Sequence, residues 1–174
     1  TVASSVKEHP EKLTGFSVLN PTADDALEEV ERIVSLGLKG VMLDPEFHSV
    51  FRHQAKVEEL MVPCMDNNLP VLFNTPNIEV GEGARMGREP YYNGLKNLAF
   101  KFPDVRFVVS PYWPRIKVLM IKYSNIFIDS GGRNGISGAV RLMTDIGPTR
   151  VCFGSESPQN HPGLGVKAIR TMKM

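Results

Sequence analysis

Short apolar runs alternate along the chain with longer stretches whose apolar positions recur every three or four residues. The short runs are Gly15–Leu19, Lys39–Leu43, Pro70–Phe73, Val105–Val109, Ile126–Ile128 and Arg150–Gly154. They are continuous rather than alternating and rich in Val, Ile and Phe, which predicts strands buried on both faces of a parallel sheet. Between them, Leu27, Val30, Ile33 and Val34 form one helical stripe and Val57, Leu60 and Met61 a second. Tyr91, Leu95, Leu98 and Ala99 give a third, and Ile116, Leu119, Met120 and Tyr123 a fourth, while Val140 and Met143 mark a short fifth helix. Thr22-Ala23-Asp24-Asp25 reads as the start of the first helix, with Thr22 as N-cap, and Gly37 as its C-terminal stop. Pro63 interrupts the second stripe and predicts one broken helix or two short ones before Asn68. Residues 75–90 read as a long loop. Within it, Gly81-Glu82-Gly83 neither follows a strand directly nor opens a helix, as a dinucleotide fingerprint must.

Six strands alternating with helices predict a single α/β domain over residues 1–174. A closed barrel and an open doubly wound sheet both fit, and periodicity does not separate them. A full barrel takes about 250 residues, so this chain is about two βα units short. Lysines and arginines are scattered and the formal net charge is +1, which gives no basic face for nucleic acid. No apolar run reaches the roughly 18 residues of a membrane helix. Cys64 and Cys152 sit in apolar contexts and read as buried free thiols rather than a disulfide. That places the chain in the cytoplasm or an organellar matrix. No signal-like segment follows Thr1, and any targeting segment upstream of it is unseen.

In either architecture a ligand site forms at the carboxyl ends of the strands. The residues there are Asn20, Asp44 and Glu46, Asn74, Ser110 and Pro111, Asp129 and Ser130, and Ser155 and Glu156. None is a histidine, whereas a catalytic zinc takes about three protein ligands plus an open position. His48 and His53 stand five apart, a spacing that implies no shared metal, and read as loop and helix-start residues. His9 and His161 read as surface residues. The loop Ser130-Gly131-Gly132-Arg133-Asn134-Gly135 follows a strand and precedes a helix. It is either an anion cradle or a tight turn that needs positive φ. Tyr112 and Trp113, in Pro111-Tyr112-Trp113-Pro114, either stack on a planar ligand or cap the rim. Cys152, inside a strand, is poorly placed for a nucleophile.

The segments Gly15–Pro21, Leu36–Val41, Leu69–Thr75, Phe102–Val109, Asn125–Ser130 and Cys152–Pro158, in that order, resemble the amidohydrolase-related family. These are TIM barrels that include metal-dependent decarboxylases and hydrolases of cyclic esters. The resemblance implies that the six strands are the third to the eighth of a (β/α)8 barrel, with the first two outside this chain. It also implies where the family's metal and catalytic residues would fall. A metal-binding histidine is replaced by Asn74, and a Gly-His or Ala-His pair, whose histidine acts in catalysis, by Ser110-Pro111. The metal-binding aspartate of a Phe-Gly-Ser-Asp segment is Glu156. The expectation is therefore a barrel with a degenerate metal site and no cofactor, a catalytically impaired binding or assembly subunit. The alternative is an active hydrolase or decarboxylase that uses zinc or manganese, or a site rebuilt around Glu156 with support from Asp44, Glu46 or His48. The expected ligand is a small carboxylate, met by Asp44, Ser110, Trp113, Ser130 and Arg133. An oligomer, partner or further segment is expected over the two open barrel edges.

Overall fold

The computed structural model describes residues 1–45, 48, 50–74, 83–110, 115–131, 135–158 and 161–171, without the side chains of 83–88. Its elements are α1 (Val2–Glu8), β1 (Ser17–Val18), α2 (Ala26–Ser35), β2 (Val41–Leu43), α3 (Gln54–Asp66), β3 (Val71–Asn74) and α4 (Gly83–Lys101). They continue with β4 (Phe107–Ser110), α5 (Ile116–Lys122), β5 (Ile126–Asp129), α6 (Gly135–Ile146), β6 (Val151–Cys152) and α7 (Pro162–Thr171). The six strands form one sheet in the order β1-β2-β3-β4-β5-β6, and every neighbouring pair is parallel. That is the topology of a partial (β/α) barrel: each strand pairs with the next in sequence, and a helix lies between.

The sheet has two unequal faces. Leu43, Val71, Phe73, Phe107, Val109, Ile126 and Ile128 are fully buried, packed in one cluster with helix residues such as Val30, Ile33, Leu60, Leu95, Leu119 and Leu142. The alternating residues Met42, Leu72, Val108 and Phe127 are only half-buried, and Val18 is 54% exposed. Those five stand in one register row, Val18↔Met42↔Leu72↔Val108↔Phe127. Helices therefore cover the outer face, and the apolar inner face remains open.

Local chemistry sets several boundaries differently from the sequence pattern. The side-chain Oδ1 of Asn20 accepts both the N–H and the hydroxyl of Thr22, at 3.0 and 2.8 Å. Thr22 is thus held in a turn rather than capping a helix, and α2 begins at Ala26 with Asp25 before it. Its buried face is Ala26, Val30 and Ile33, with Leu27 and Val34 turned outward. Gly37 ends the helix as expected. It sits at φ +73°, with its N–H bonded to Val34 and that of Leu38 to Ile33, a Schellman closure. Pro63 does not break α3. It lies in the last turn, and the buried stripe Val57, Leu60, Met61 and Cys64 runs past it. Residues 83–90, expected as loop, belong to α4, because tertiary burial of Tyr91, Leu95, Leu98 and Ala99 outweighs local Gly and Pro preference. The fifth helix is longer than expected, and Ala139 and Leu142 form its buried face, with Val140 and Met143 at the margin. Helices α1 and α7 carry almost no buried apolar stripe, so periodicity gave no sign of them. Cys64 is buried, but Cys152 is exposed, because β6 is an edge strand.

Two polar side chains tie helix ends to strands. Asn125, 7% exposed, donates from Nδ2 to the carbonyls of Ala99, Phe102 and Val105 at 3.3, 3.0 and 3.0 Å. It closes the end of α4 onto the entry to β4. Arg150 donates to the carbonyls of Met120 and Tyr123 at 2.6 and 2.9 Å, doing the same for α5. Replacing Asn125 by Ala leaves three carbonyls without this donor. The expected loss is about 1–3 kcal/mol of unfolding free energy, read as a lower denaturation midpoint at unchanged m-value.

Candidate functional site

The register brings the strand ends to one level. Asn74 pairs with Ser110, and Asp129 with Cys152. Asp44 follows Leu43, which pairs with Phe73, so Asp44 lies beside Asn74. Ser110 follows Val109, which pairs with Ile128, so it lies beside Asp129. A polar row Asp44–Asn74–Ser110–Asp129–Cys152 thus caps the apolar row Met42–Leu72–Val108–Phe127. Parallel strands produce this wherever the apolar run ends at the same depth in each strand.

At the β5 and β6 ends the row becomes a compact cluster. Asp129 Oδ1 accepts the N–H of Gly131. A Cβ on Gly154 would overlap the Asp129 carboxylate. One on Gly131 would lie 2.7 Å from Oδ1 of Asp129 and 2.9 Å from Cγ of Glu156. Gly154 thus leaves room for the Asp129 carboxylate, and Asp129 and Glu156 both flank Gly131. Gly131 has no positive φ among the described backbone outliers, and it serves close approach; Gly132 of the same loop lies outside the described residues. Ser130, 1% exposed, accepts the Gly154 N–H on its hydroxyl at 3.2 Å and donates its own N–H to Cys152 at 2.9 Å. It fastens the exit of β5 to that of β6. Burial pushes the Asp129 carboxyl above the usual aspartate range, and the Gly131 N–H offsets part of that. Although Cys152 is exposed along the edge strand, partial desolvation of its sulfur and the Asp129 charge push its thiol upward, which favours the protonated form. Glu156 holds a left-handed backbone at φ +51°, a conformation that costs a non-glycine residue about 1 kcal/mol or more.

The expected residues scatter in part. Asp44, Asn74, Ser110 and Asp129 share one level, and Ser130 and Glu156 join Asp129. Asn20 is engaged in its turn with Thr22, and Ser155 accepts the N–H of Ser157 at 3.3 Å. His9 and His161 are exposed, as expected, and Nδ1 of His161 accepts the N–H of Gly163 at 3.1 Å. Glu46, Pro111, Tyr112, Trp113, Gly132, Arg133 and Asn134 lie outside the described residues. So do Gly81 and Glu82 of the other glycine cluster, while Gly83, contrary to expectation, opens a helix. Asp129 appeared in the sequence only as one strand-end residue among ten; its signal was the acid directly before Ser-Gly-Gly. Among the described residues no group of three His, Cys, Asp or Glu side chains is placed to hold one metal ion, and no helix is long and apolar enough to cross a membrane.

A cavity of about 500 Å³ opens on the inner face, lined by Thr14, Phe16, Lys39, Asn68, Pro70, Arg106, Val108, Phe127 and Cys152. Most of this lining precedes or begins the strands, so the cavity lies mainly toward the amino ends of the sheet, with Cys152, the register partner of Asp129, also in its lining.

No protein-family profile and no curated sequence matches the chain. Solved structures do match its fold over 99% of its length. A 5-carboxyvanillate decarboxylase from Sphingomonas paucimobilis superposes with a TM-score of 0.73 at 15% identity, with 64% of that chain covered. A dihydroxybenzoic acid decarboxylase from Polaromonas, solved with bound manganese and the inhibitor 2-nitroresorcinol, gives 0.72 at 14%, with 67% covered. A candidate amidohydrolase from Staphylococcus aureus gives 0.74 at 14%, with 71% covered. Across these proteins the chain thus spans about two thirds of the matched length. Its six parallel βα units are a partial barrel with the fold of the amidohydrolase-like decarboxylases.

Proposed function

We propose that this chain is an amidohydrolase-related barrel with a degenerate metal centre, and that it binds a small carboxylate or serves as an assembly subunit rather than turning over substrate. The observation that carries this reading is the donor set at the strand-end level. Asn74 and Ser110, side by side in the register, offer an amide and a hydroxyl, both neutral and weak ligands. Asp129 offers one carboxylate already accepting a backbone N–H. With Asp44 along the row and Glu156 beside Gly131, the described set is two neutral donors and separate carboxylates, which supports a weaker centre than the converging nitrogen, sulfur or anionic oxygen ligands that zinc or manganese takes. The open edges support the assembly half of the reading. β1 and β6 each have one partner strand, beside an apolar face. Parallel sheets are normally covered on both faces, and bare edges template aggregation. A further segment, a second copy or another subunit covers them.

A second reading is favoured by Asp129 and Glu156 both flanking Gly131. Two carboxylates in different surroundings, one with a raised pKa, are the usual equipment of paired acid and base catalysis. An enzyme rebuilt on this pair would be a hydrolase or lyase of a small acid, with Asp44 in support.

Metal analysis separates the two. The purified chain is expected to carry no stoichiometric zinc or manganese. One equivalent of either, lost on Glu156→Ala, would overturn the impaired reading. The Asp129 environment is tested by pH. A carboxyl with its folded pKa raised binds protons more strongly folded than unfolded, so it costs stability as pH climbs from the usual aspartate range through the raised value. Asp129→Asn keeps the Oδ1 acceptor for Gly131 and removes that slope. The variant should melt at a higher temperature than wild type at neutral pH and converge with it below the aspartate range. An unchanged melting profile across this window would mean that Asp129 is not desolvated.

A further inference from the structure

We propose that an anionic ligand of this chain enters by the amino-terminal end of the barrel interior, through the cavity between Lys39 and Arg106, and not by the strand-end mouth. The proposal rests on the carboxylate-binding reading above and fixes where that ligand sits. The two ends of the interior differ in charge. Among the described residues, the carboxyl end carries the acids Asp44, Asp129 and Glu156, and like charge disfavours a carboxylate there. At the other end the cavity of about 500 Å³ is lined by two cations and, among the described residues, by no acid. Its volume lies within the usual range of small-molecule sites.

The lining also has the pattern that an amphipathic anion needs. Phe16, Pro70, Val108 and Phe127 supply an apolar wall, with Lys39, Arg106, Thr14 and Asn68 as its polar part. Phe16 is held in place because its ring fills the space that a side chain at Gly40 would take. Arg106 is oriented by Asn68, donating to its Oδ1 at 2.7 Å and its carbonyl at 3.3 Å. Asn68 is itself fixed in a left-handed turn, φ +54°, after α3. A guanidinium tethered to Asn68 at the solvent-exposed rim of an aromatic and aliphatic wall can recognise a carboxylate carried on an apolar body, either an alkyl chain or a flat ring. Strands that cover the open edges would roof this cavity, and their side chains would be its competing occupants.

The test is calorimetric titration of the purified chain with decanoate, with 2-naphthoate and with decanol as the neutral control. Saturable binding of either acid is expected, roughly ten-fold or more tighter than decanol. Lys39→Gln and Arg106→Gln should each weaken it by about ten-fold. Arg106→Lys, which keeps the charge, should weaken it less. Preference between the two acids reports whether the wall takes a chain or a ring. Lys39 is exposed, so its variant should fold even where Arg106→Gln disturbs the Asn68 turn. Acid binding that is indifferent to both glutamine variants overturns the placement and leaves the carboxylate reading standing. No saturable binding of either acid at about 1 mM, the weak end of specific affinity, overturns both.

Discussion

A parallel sheet whose strands are apolar on both faces must be covered on both, and the rest of this structure follows from how that requirement is met. The outer face is finished. Leu43, Phe73, Phe107 and Ile128 are fully buried beneath α2 to α6, and each buried side chain of that size contributes about 1.5–3 kcal/mol. The inner face carries Val18, Met42, Leu72, Val108 and Phe127 in one row, with no second layer upon it among the described residues. The concavity, the exposed edge thiol of Cys152 and the cavity near Arg106 are all aspects of that one-sided cover.

The strand-end row follows from the same pairing. In-register parallel strands that exchange apolar for polar residues at the same depth set their first polar side chains side by side. Asn74 therefore meets Ser110, and Asp129 meets Cys152. The placing of Asp129 and Glu156 beside Gly131 needs more than register. It needs Gly131 and Gly154 to leave their Cβ positions vacant, and Ser130 to fasten the two strand exits with its hydroxyl. A single methyl at Gly154 would push the Asp129 carboxylate aside.

The strands were legible because their signal is local and strong: unbroken Val, Ile and Phe runs admit few other readings. The helices were legible where burial and periodicity coincide, as at Leu95, Leu98, Leu119 and Met120. They were misread where one residue's intrinsic preference opposed tertiary burial. Pro63 and Pro90 both sit inside helices held by their buried faces, and Thr22 was claimed by Asn20 before it could cap α2. The barrel itself was not readable from periodicity, which fits an open sheet equally, and came into view only through the order of the strand-end segments. The site was half legible. Strand ends can be read off a sequence, but the placing of Asp129 and Glu156 beside Gly131 goes with a left-handed backbone at Glu156 and with two missing side chains. The cations at the far end, Lys39 and Arg106, precede β2 and β4, where a search of strand ends does not look.

The sequential strand order has a consequence for how the domain is assembled. Paired strands lie one βα unit apart, from 19 residues (Phe107 to Ile126) to 36 (Val71 to Phe107). No strand waits for a partner from the far end of the chain, so little loop-closure entropy is lost at any one step. Asn125 and Arg150 then act as latches between successive units. Each lies just before or at the start of its strand and seizes the carbonyls at the end of the helix already laid down. Within these six units assembly can thus proceed by accretion, each unit docking onto an edge that its predecessor has just completed.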